Sequence, residues 1–230
     1  MAKKPTKKPD KKSGSRGLHV NVKTAKKRSN SSARWLARQL NDPYVAKARA
    51  EGYRSRAAFK LIDLDEKFNL LKQGMKVVDL GCAPGGWSQV AVAKVGSSGK
   101  VVGCDLLEVP AIAGAELIVL DFLDNNAPDT MKALLGGNAD LVMSDMAANT
   151  TGHTPTDHLR IMHLCEIAYH FATEILSQNG SFICKVLKGG AESVLLKQMQ
   201  KDFVVVKHAK PKSSRSDSAE SYVVATGFRG

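Results

Sequence analysis

The chain has 230 residues and a formal net charge of +12, long enough for one domain with a sizeable core plus a tail. No apolar run approaches the roughly 20 residues of a membrane span, and no apolar signal core follows the basic amino terminus, so a soluble cytoplasmic protein is expected. Cys82, Cys104, Cys165 and Cys184 are scattered, with no C-x-x-C pair and no histidine at zinc spacing, which argues against a disulfide framework and a metal site.

The charge is unevenly placed. Residues 1–34 carry 12 Lys/Arg against Asp10, whereas 35–230 carry 22 against 21 acids. Residues 1–31 are therefore expected as a basic disordered extension of the kind that lies along nucleic acid or stays solvated, with 32–230 as the folded domain. From Ser32, the cations Arg34, Arg38, Lys47, Arg49, Arg54, Arg56 and Lys60 face only Asp42 and Glu51, and Trp35, Tyr44 and Tyr53 lie among them. That mixture suits phosphate contacts and base stacking; its plainer reading is a surface helix with snorkelling side chains. Ser55–Leu71 is predicted as an amphipathic helix on Leu61, Leu64, Phe68 and Leu71, with Lys60 at the edge of the seam.

Lys76–Leu80 is a short valine-rich run, followed by a glycine-rich turn and a helix over Trp87–Val95. Lys100–Asp105 is a second apolar run ending in a carboxylate, so strand, helix and strand fit one parallel unit. A dinucleotide fingerprint needs G-x-G-x-x-G to bring bare backbone to a pyrophosphate. Here the second glycine is Ala83 and Pro84 follows it, a poor diphosphate cradle. A ligand with ribose and adenine but no pyrophosphate fits better, and S-adenosylmethionine is the common one. Gly81, Gly85 and Gly86 would let backbone approach its methionine part, and Asp105 would accept the ribose hydroxyls.

Further strands are predicted over Ala115–Phe122, with Asp121 near its end, and Ala139–Ala147, closing on Asp145. Thr156–Leu176 is a long helix with Ile161, Leu164, Ala168, Phe171 and Ile175 as its buried stripe and His163, Glu166, His170 and Thr173 on a solvated face. Gly180–Leu187 is a strand interrupted by Lys185, a residue that needs water or a carboxylate if it is buried. Ser193–Phe203 follows as a helix, then strands over Val204–Ala209 and Ser221–Phe228, the last antiparallel. The link 210–220 reads as a mobile substrate-side loop ending at Glu220. Asp79, Asp105, Asp121, Asp145 and Lys185 all come near the carboxyl ends of parallel strands, and an antiparallel last strand brings Glu220 to the same crevice. Two lysines and two acids beside a methyl donor suggest transfer to a weak oxygen nucleophile.

Asp-Leu-Gly-Cys-Ala-Pro-Gly-Gly-Trp-Ser-Gln at 79–89, Ser-Arg-Ala-Ala-Phe-Lys-Leu at 55–61, Met-Ser-Asp-Met-Ala at 143–147, Lys185-Val186 and Glu-Ser-Tyr-Val-Val-Ala-Thr-Gly at 220–227 resemble the FtsJ/RrmJ (RlmE) family of ribosomal RNA 2'-O-ribose methyltransferases. Ala148 stands where that family commonly has proline. The resemblance implies a Rossmann-like methyltransferase fold, α/β, with a mostly parallel seven-stranded sheet, an antiparallel last strand and helices on both faces. It implies a catalytic tetrad of Lys60, Asp145, Lys185 and Glu220. S-adenosyl-L-methionine would contact Gly85, Trp87, Asp105, Asp121 and Asp145, with Asp79, Gly81, Pro84 and Gly86 completing the turn. It also implies a uridine ribose in the A-loop of 23S rRNA as substrate, the large ribosomal subunit as partner, and a monomer without metal or membrane. A transferase for tRNA or mRNA caps, or a non-catalytic ribosome-assembly factor, is the alternative.

Overall fold

The computed structural model describes residues 20–21, 24, 30–148, 151–187 and 193–230. The tail expected from the charge pattern falls largely outside the described residues, as do the side chains of Arg34 and Trp35. The chain divides into two compact units, Met1–Val45 and Ala46–Gly230. In the first, α1 (Asn30–Leu40) is followed by Asn41, whose amide exchanges two hydrogen bonds with the backbone of Val20 at 2.8 and 3.0 Å. The helix α2 (Pro43–Ala50) spans the junction, and Asp42 accepts a bond from the Tyr44 amide at its start.

The second unit is built on seven strands: β1 (Lys76–Leu80), β2 (Lys100–Asp105), β3 (Ala115–Val119), β4 (Ala139–Ser144), β5 (Leu176–Leu187), β6 (Phe203–Ala209) and β7 (Glu220–Phe228). Their order is β3-β2-β1-β4-β5-β7-β6; the first five are parallel and β7 is antiparallel to both of its neighbours. The order reverses between β1 and β4, which opens a crevice beyond their carboxyl ends. The helices are α3 (Ala57–Phe68), α4 (Gly86–Val95), α5 (Ala127–Leu135), α6 (Thr154–Ile175) and α7 (Ser193–Asp202).

Side chains alternate along each strand, so each apolar run feeds two cores. Val78, Leu80, Val102, Phe182, Cys184 and Val186 pack with α5, α6 and α7 on one face. Val77, Val101, Leu141, Met143, Ile183, Tyr222 and Val224 pack with α3 and α4 on the other. The same period of two puts Lys185 on the α3 face, because Ile183 is there. Helix ends are closed by local chemistry: Asn69 takes the left-handed conformation after α3, and the Asp65 carboxylate accepts the amides of Leu70 and Leu71 at 3.0 and 2.8 Å.

Several elements differ from expectation; β3 and β4 end at Val119 and Ser144, short of the predicted Phe122 and Ala147, and α1 and α2 are not among the predicted elements. The helix α5, opened by Pro128 in its first turn and closed by left-handed Gly136, is not among the predicted elements; at 9 residues it is shorter than the window over which apolar periodicity is read. The strand β5 starts at Leu176 rather than Gly180, directly from the end of α6, with Leu176 paired to Ala139 before the register shifts. The 210–220 segment, expected to be mobile, is tied to α3 and to itself. Arg56 donates to the Ser213 carbonyl, Ser213 donates its amide to Asp63 at 2.7 Å, and Lys210 reaches the carbonyls of Ser216 and Ser218.

Candidate active site

At the carboxyl ends of β4 and β5 and the start of β7, two lysines and two acids form one connected group. Lys185 is 5% exposed; its Nζ lies 2.5 Å from the Asp145 carbonyl and 3.1 Å from Asp145 Oδ1. Tyr222, directly opposite Lys185 in the β5–β7 ladder, donates its hydroxyl to the same Oδ1 at 2.8 Å. Lys60 comes from α3, 8% exposed; it pairs with Glu220 Oε2 at 3.1 Å and lies 5.7 Å from the centroid of the Tyr222 ring. The Tyr222 side chain thus links the two ion pairs, with Lys60 near its ring and Asp145 at its hydroxyl.

The electrostatics follow from burial and neighbours. Burial works against the ionised form of Asp145, but Lys185, then Lys60 and the Tyr222 hydroxyl, hold its carboxyl below the ordinary range. Burial, with Asp145 and Glu220 adding, pushes the Tyr222 phenol well above its usual value, so it stays a neutral donor. Both groups thus keep the protonation states that their hydrogen bond requires.

Asp145 also lines a cavity of about 460 Å³ that opens over β1, β2 and β4. Its wall includes Gly81, Asp105, Leu106, Leu107, Asp121 and Asp145. Asp105 is oriented by two amides, Ala83 N to Oδ2 and Leu107 N to Oδ1, both at 2.9 Å, and Asp121 by the Leu123 amide at 2.9 Å. Gly81 has φ +78, and a Cβ there would come within 2.8 Å of the Met146 backbone, so glycine lets the β1 turn pass beneath the Asp145 segment.

A family model described as FtsJ-like methyltransferase matches residues 53–228, the whole of the sheet and its helices. The chain belongs to the FtsJ-like methyltransferase family. Proteins described as ribosomal RNA large subunit methyltransferase E share 60% identity with it in Parvibaculum lavamentivorans, covering 94% of this chain and 89% of the relative, and 62% in Bradyrhizobium diazoefficiens, covering 93% and 95%. A crystal structure described as a ribosomal RNA methyltransferase from Plasmodium falciparum superposes with a TM-score of 0.68 at 30% identity, covering 77% of this chain and all of that one.

A methyltransferase needs a methyl donor, and the cavity suits one that carries a nucleoside. It has the volume of a small-ligand site, apolar walls at Leu106, Leu107 and Leu164, and two carboxylates held by backbone amides. Of the residues expected at the cofactor, Gly81, Asp105, Asp121 and Asp145 line this cavity. Asp79, Pro84, Gly85, Gly86 and Trp87 are not on its wall. Asp79 is fully buried and bonded to the Ser88 hydroxyl at 2.6 Å. Trp87 is 3% exposed, donates its indole N–H to the Ala57 carbonyl at 2.8 Å and packs against Tyr222. A Cβ at Gly86 would strike Ser55 Oγ at 2.4 Å, so this glycine lets α3 close on α4.

Several participants lie outside the predicted set. Arg160 and His163 of α6 are on the cavity wall; His163, expected on a solvated face, is exposed and borders the cavity mouth. Tyr222 is within reach of sequence reasoning, since it lies two residues after Glu220 and period two puts both on one face. Arg54 and Arg56, expected among the RNA-facing cations, instead donate to backbone carbonyls. Among the described residues no group of three His, Cys, Asp or Glu could hold a metal ion, and no helix is long and apolar enough to cross a membrane.

Proposed function

We propose that this chain uses S-adenosyl-L-methionine to methylate the 2'-hydroxyl of a uridine ribose in the 23S rRNA A-loop, within the large ribosomal subunit, as a cytoplasmic monomer. The substrate reading rests on the family resemblance and on relatives described as ribosomal RNA large subunit methyltransferases. The observation that carries the chemistry is Asp145, which belongs both to the cavity wall and to the paired-lysine group.

When bound, the donor supplies an electrophilic methyl group on a sulfonium. Asp105 and Asp121 would hold the nucleoside part, with Gly81 and Ala83 of the β1 turn on the same wall. Lys185 acts on the nucleophile. Asp145 engages two hydrogens of its nitrogen through the carbonyl and Oδ1, and the remaining position serves the ribose hydroxyl. In the reacting form that position is a lone pair on the Lys185 nitrogen, which would take the proton that the ribose hydroxyl gives up on methylation. Lys60 offsets negative charge developing on the oxygen, and Glu220 orients Lys60. Tyr222 fixes the Asp145 carboxylate by donating to the same Oδ1 that Lys185 engages.

The experiment is incubation of the purified protein and radiolabelled S-adenosylmethionine with large subunits, free rRNA and tRNA. Label at a uridine ribose in the A-loop, greatest with large subunits, is the expected result. Label in tRNA alone would replace the substrate, and label in none of them would make the protein an assembly factor.

A further inference from the structure

Arg54 lies just before α3, outside the paired-lysine group, and its side chain does something that neither the fold nor the proposed chemistry requires. Its guanidinium donates from Nη1 to the Pro110 carbonyl at 2.5 Å and from Nη2 to the Ala111 carbonyl at 2.8 Å. Two consecutive carbonyls are thus held by the fixed fork of one cation, a geometry that lysine cannot reproduce. The origin of the arm is itself tied down: the Arg54 amide donates to Gln89 Oε1 at 2.8 Å, and Gln89 Nε2 donates to the Gly52 carbonyl at 3.0 Å. The side chain then crosses the first turn of α4 over Gly85. A Cβ at Gly85 would lie 3.0 Å from Arg54 Nη1 and 2.8 Å from Ile112 Cδ1, so the arm and the segment that it grips close down on the bare glycine.

The gripped segment is the β2–β3 connection, which supplies Leu106 and Leu107 to the cavity wall. Those two leucines are 66% and 68% exposed, so packing does not hold them in place. The flanking backbone anchors are the Leu107 amide on Asp105 and the Ala115 amide on the Ile112 carbonyl. Between them the chain is exposed at Glu108, Pro110 and Ala111. A wall built from exposed apolar side chains on an exposed segment has low intrinsic stability, and a ligand that needs it ordered must supply the ordering free energy.

We infer that Arg54 is a cofactor-positioning residue: it latches the β2–β3 connection, which carries the Leu106 and Leu107 wall of the cavity, to the α4 amino terminus, so that the nucleoside of the methyl donor meets a preformed pocket. The inference rests on the reading of the cavity as the S-adenosylmethionine site. It assigns to Arg54 a task different from the phosphate contact that its place among the cations suggests.

The test is calorimetric and stopped-flow binding of S-adenosylmethionine to the full-length protein, its Arg54→Ala and Arg54→Lys variants and a Gln89→Ala variant, with RNA affinity measured at one fixed salt concentration. Arg54→Ala should weaken cofactor binding roughly tenfold, mainly through slower association, as expected when the binding-competent wall falls to about a tenth of the population. Arg54→Lys should fall between, and Gln89→Ala should show a smaller loss of the same kind. Amide hydrogen exchange in Arg54→Ala should speed up at Leu106–Ala111 while β1 and β4 stay protected, and RNA affinity should hold. A lowered melting temperature with unchanged cofactor affinity and association rate would overturn the latch, as would a loss confined to RNA binding. Absence of cofactor binding by the wild type would instead sink the cavity reading itself, and the latch with it.

Discussion

Asp79 should make the stability of this fold depend on pH in an unusual direction. The carboxyl sits at the end of β1 beneath α4, fully buried, with Ser88 bonded to Oδ2 and no hydrogen-bond partner for Oδ1. Burial raises its pKa from 3.8 to about 7, with Ser88 opposing and the carboxylates of Asp145 and Asp105 adding. The folded chain therefore holds a proton that the unfolded chain has released between those values. Stability contributed by this group is intact below about pH 4 and is lost progressively up to about pH 7, the loss reaching roughly 4 kcal/mol at 1.36 kcal/mol per pKa unit. An Asp79→Asn variant cannot ionise. It keeps an acceptor for Ser88 and leaves a buried amide N–H unpaired, a pH-independent cost of about 1–3 kcal/mol. The expected outcome of urea unfolding without cofactor at pH 5, 6, 7 and 8 is a variant-minus-wild-type difference that climbs by about 2–3 kcal/mol across the range, moving in favour of the variant toward the alkaline end. A flat difference would mean that Asp79 is ionised in the fold at all these pH values, and that burial is not the dominant influence on it.

Three further outcomes are expected. Lys185→Ala should lower methyl transfer by at least about 100-fold, the low end of what a positioned proton acceptor contributes, while cofactor affinity measured by calorimetry stays near wild type; near-normal turnover would remove Lys185 from the chemistry. Asp63→Ala should release the Ser213 amide and cost about 1–2 kcal/mol, read as a lower melting temperature and faster tryptic cleavage at Lys212 and Arg215; an unchanged cleavage rate would show that Arg56 holds the loop alone. Removing residues 1–29 should weaken rRNA binding and flatten its salt dependence by roughly 0.7–0.9 in log–log slope for each phosphate that the tail no longer neutralises; an identical slope in a filter-binding titration would mean that the tail does not touch RNA.

How much of the site can be read from the chain depends on how local the cause of each placement is. The β1 turn, its alternation with β2 and the acid closing β2 are set by neighbouring residues, so Gly81, Asp105 and the crevice at the strand ends are legible. Lys185 is legible as an anomaly, a cation in an apolar strand. Period two then fixes its face once Ile183 is known to face α3, but nothing in β5 alone says which face α3 covers. That is decided by contacts between distant segments. Gly86 admits Ser55, the Trp87 indole holds the Ala57 carbonyl, and Tyr222 packs on Trp87. The polar composition of 210–220 suggests motion for the same reason: the Ser213 backbone ties run to Arg56 and Asp63, 157 and 150 positions earlier.

These long-range contacts share one element. Arg54, just before α3, grips the cofactor-side connection; Arg56 and Asp63 hold the 210–220 loop; Ala57 receives Trp87; and Lys60, between them, pairs with Glu220 where that loop ends. A displacement of α3 along its axis would therefore loosen the cavity wall and separate Lys60 from Glu220 and Tyr222 together. Side chains at 56, 60 and 63 fall on one helical stripe, so the stripe that fastens the loop is also the one that delivers the ammonium group. The precision with which Lys60 meets Tyr222 is thus set by packing between α3 and α4 and by the loop ties, not by the Lys60–Glu220 ion pair, whose carboxylate is 35% exposed and whose attraction is correspondingly screened.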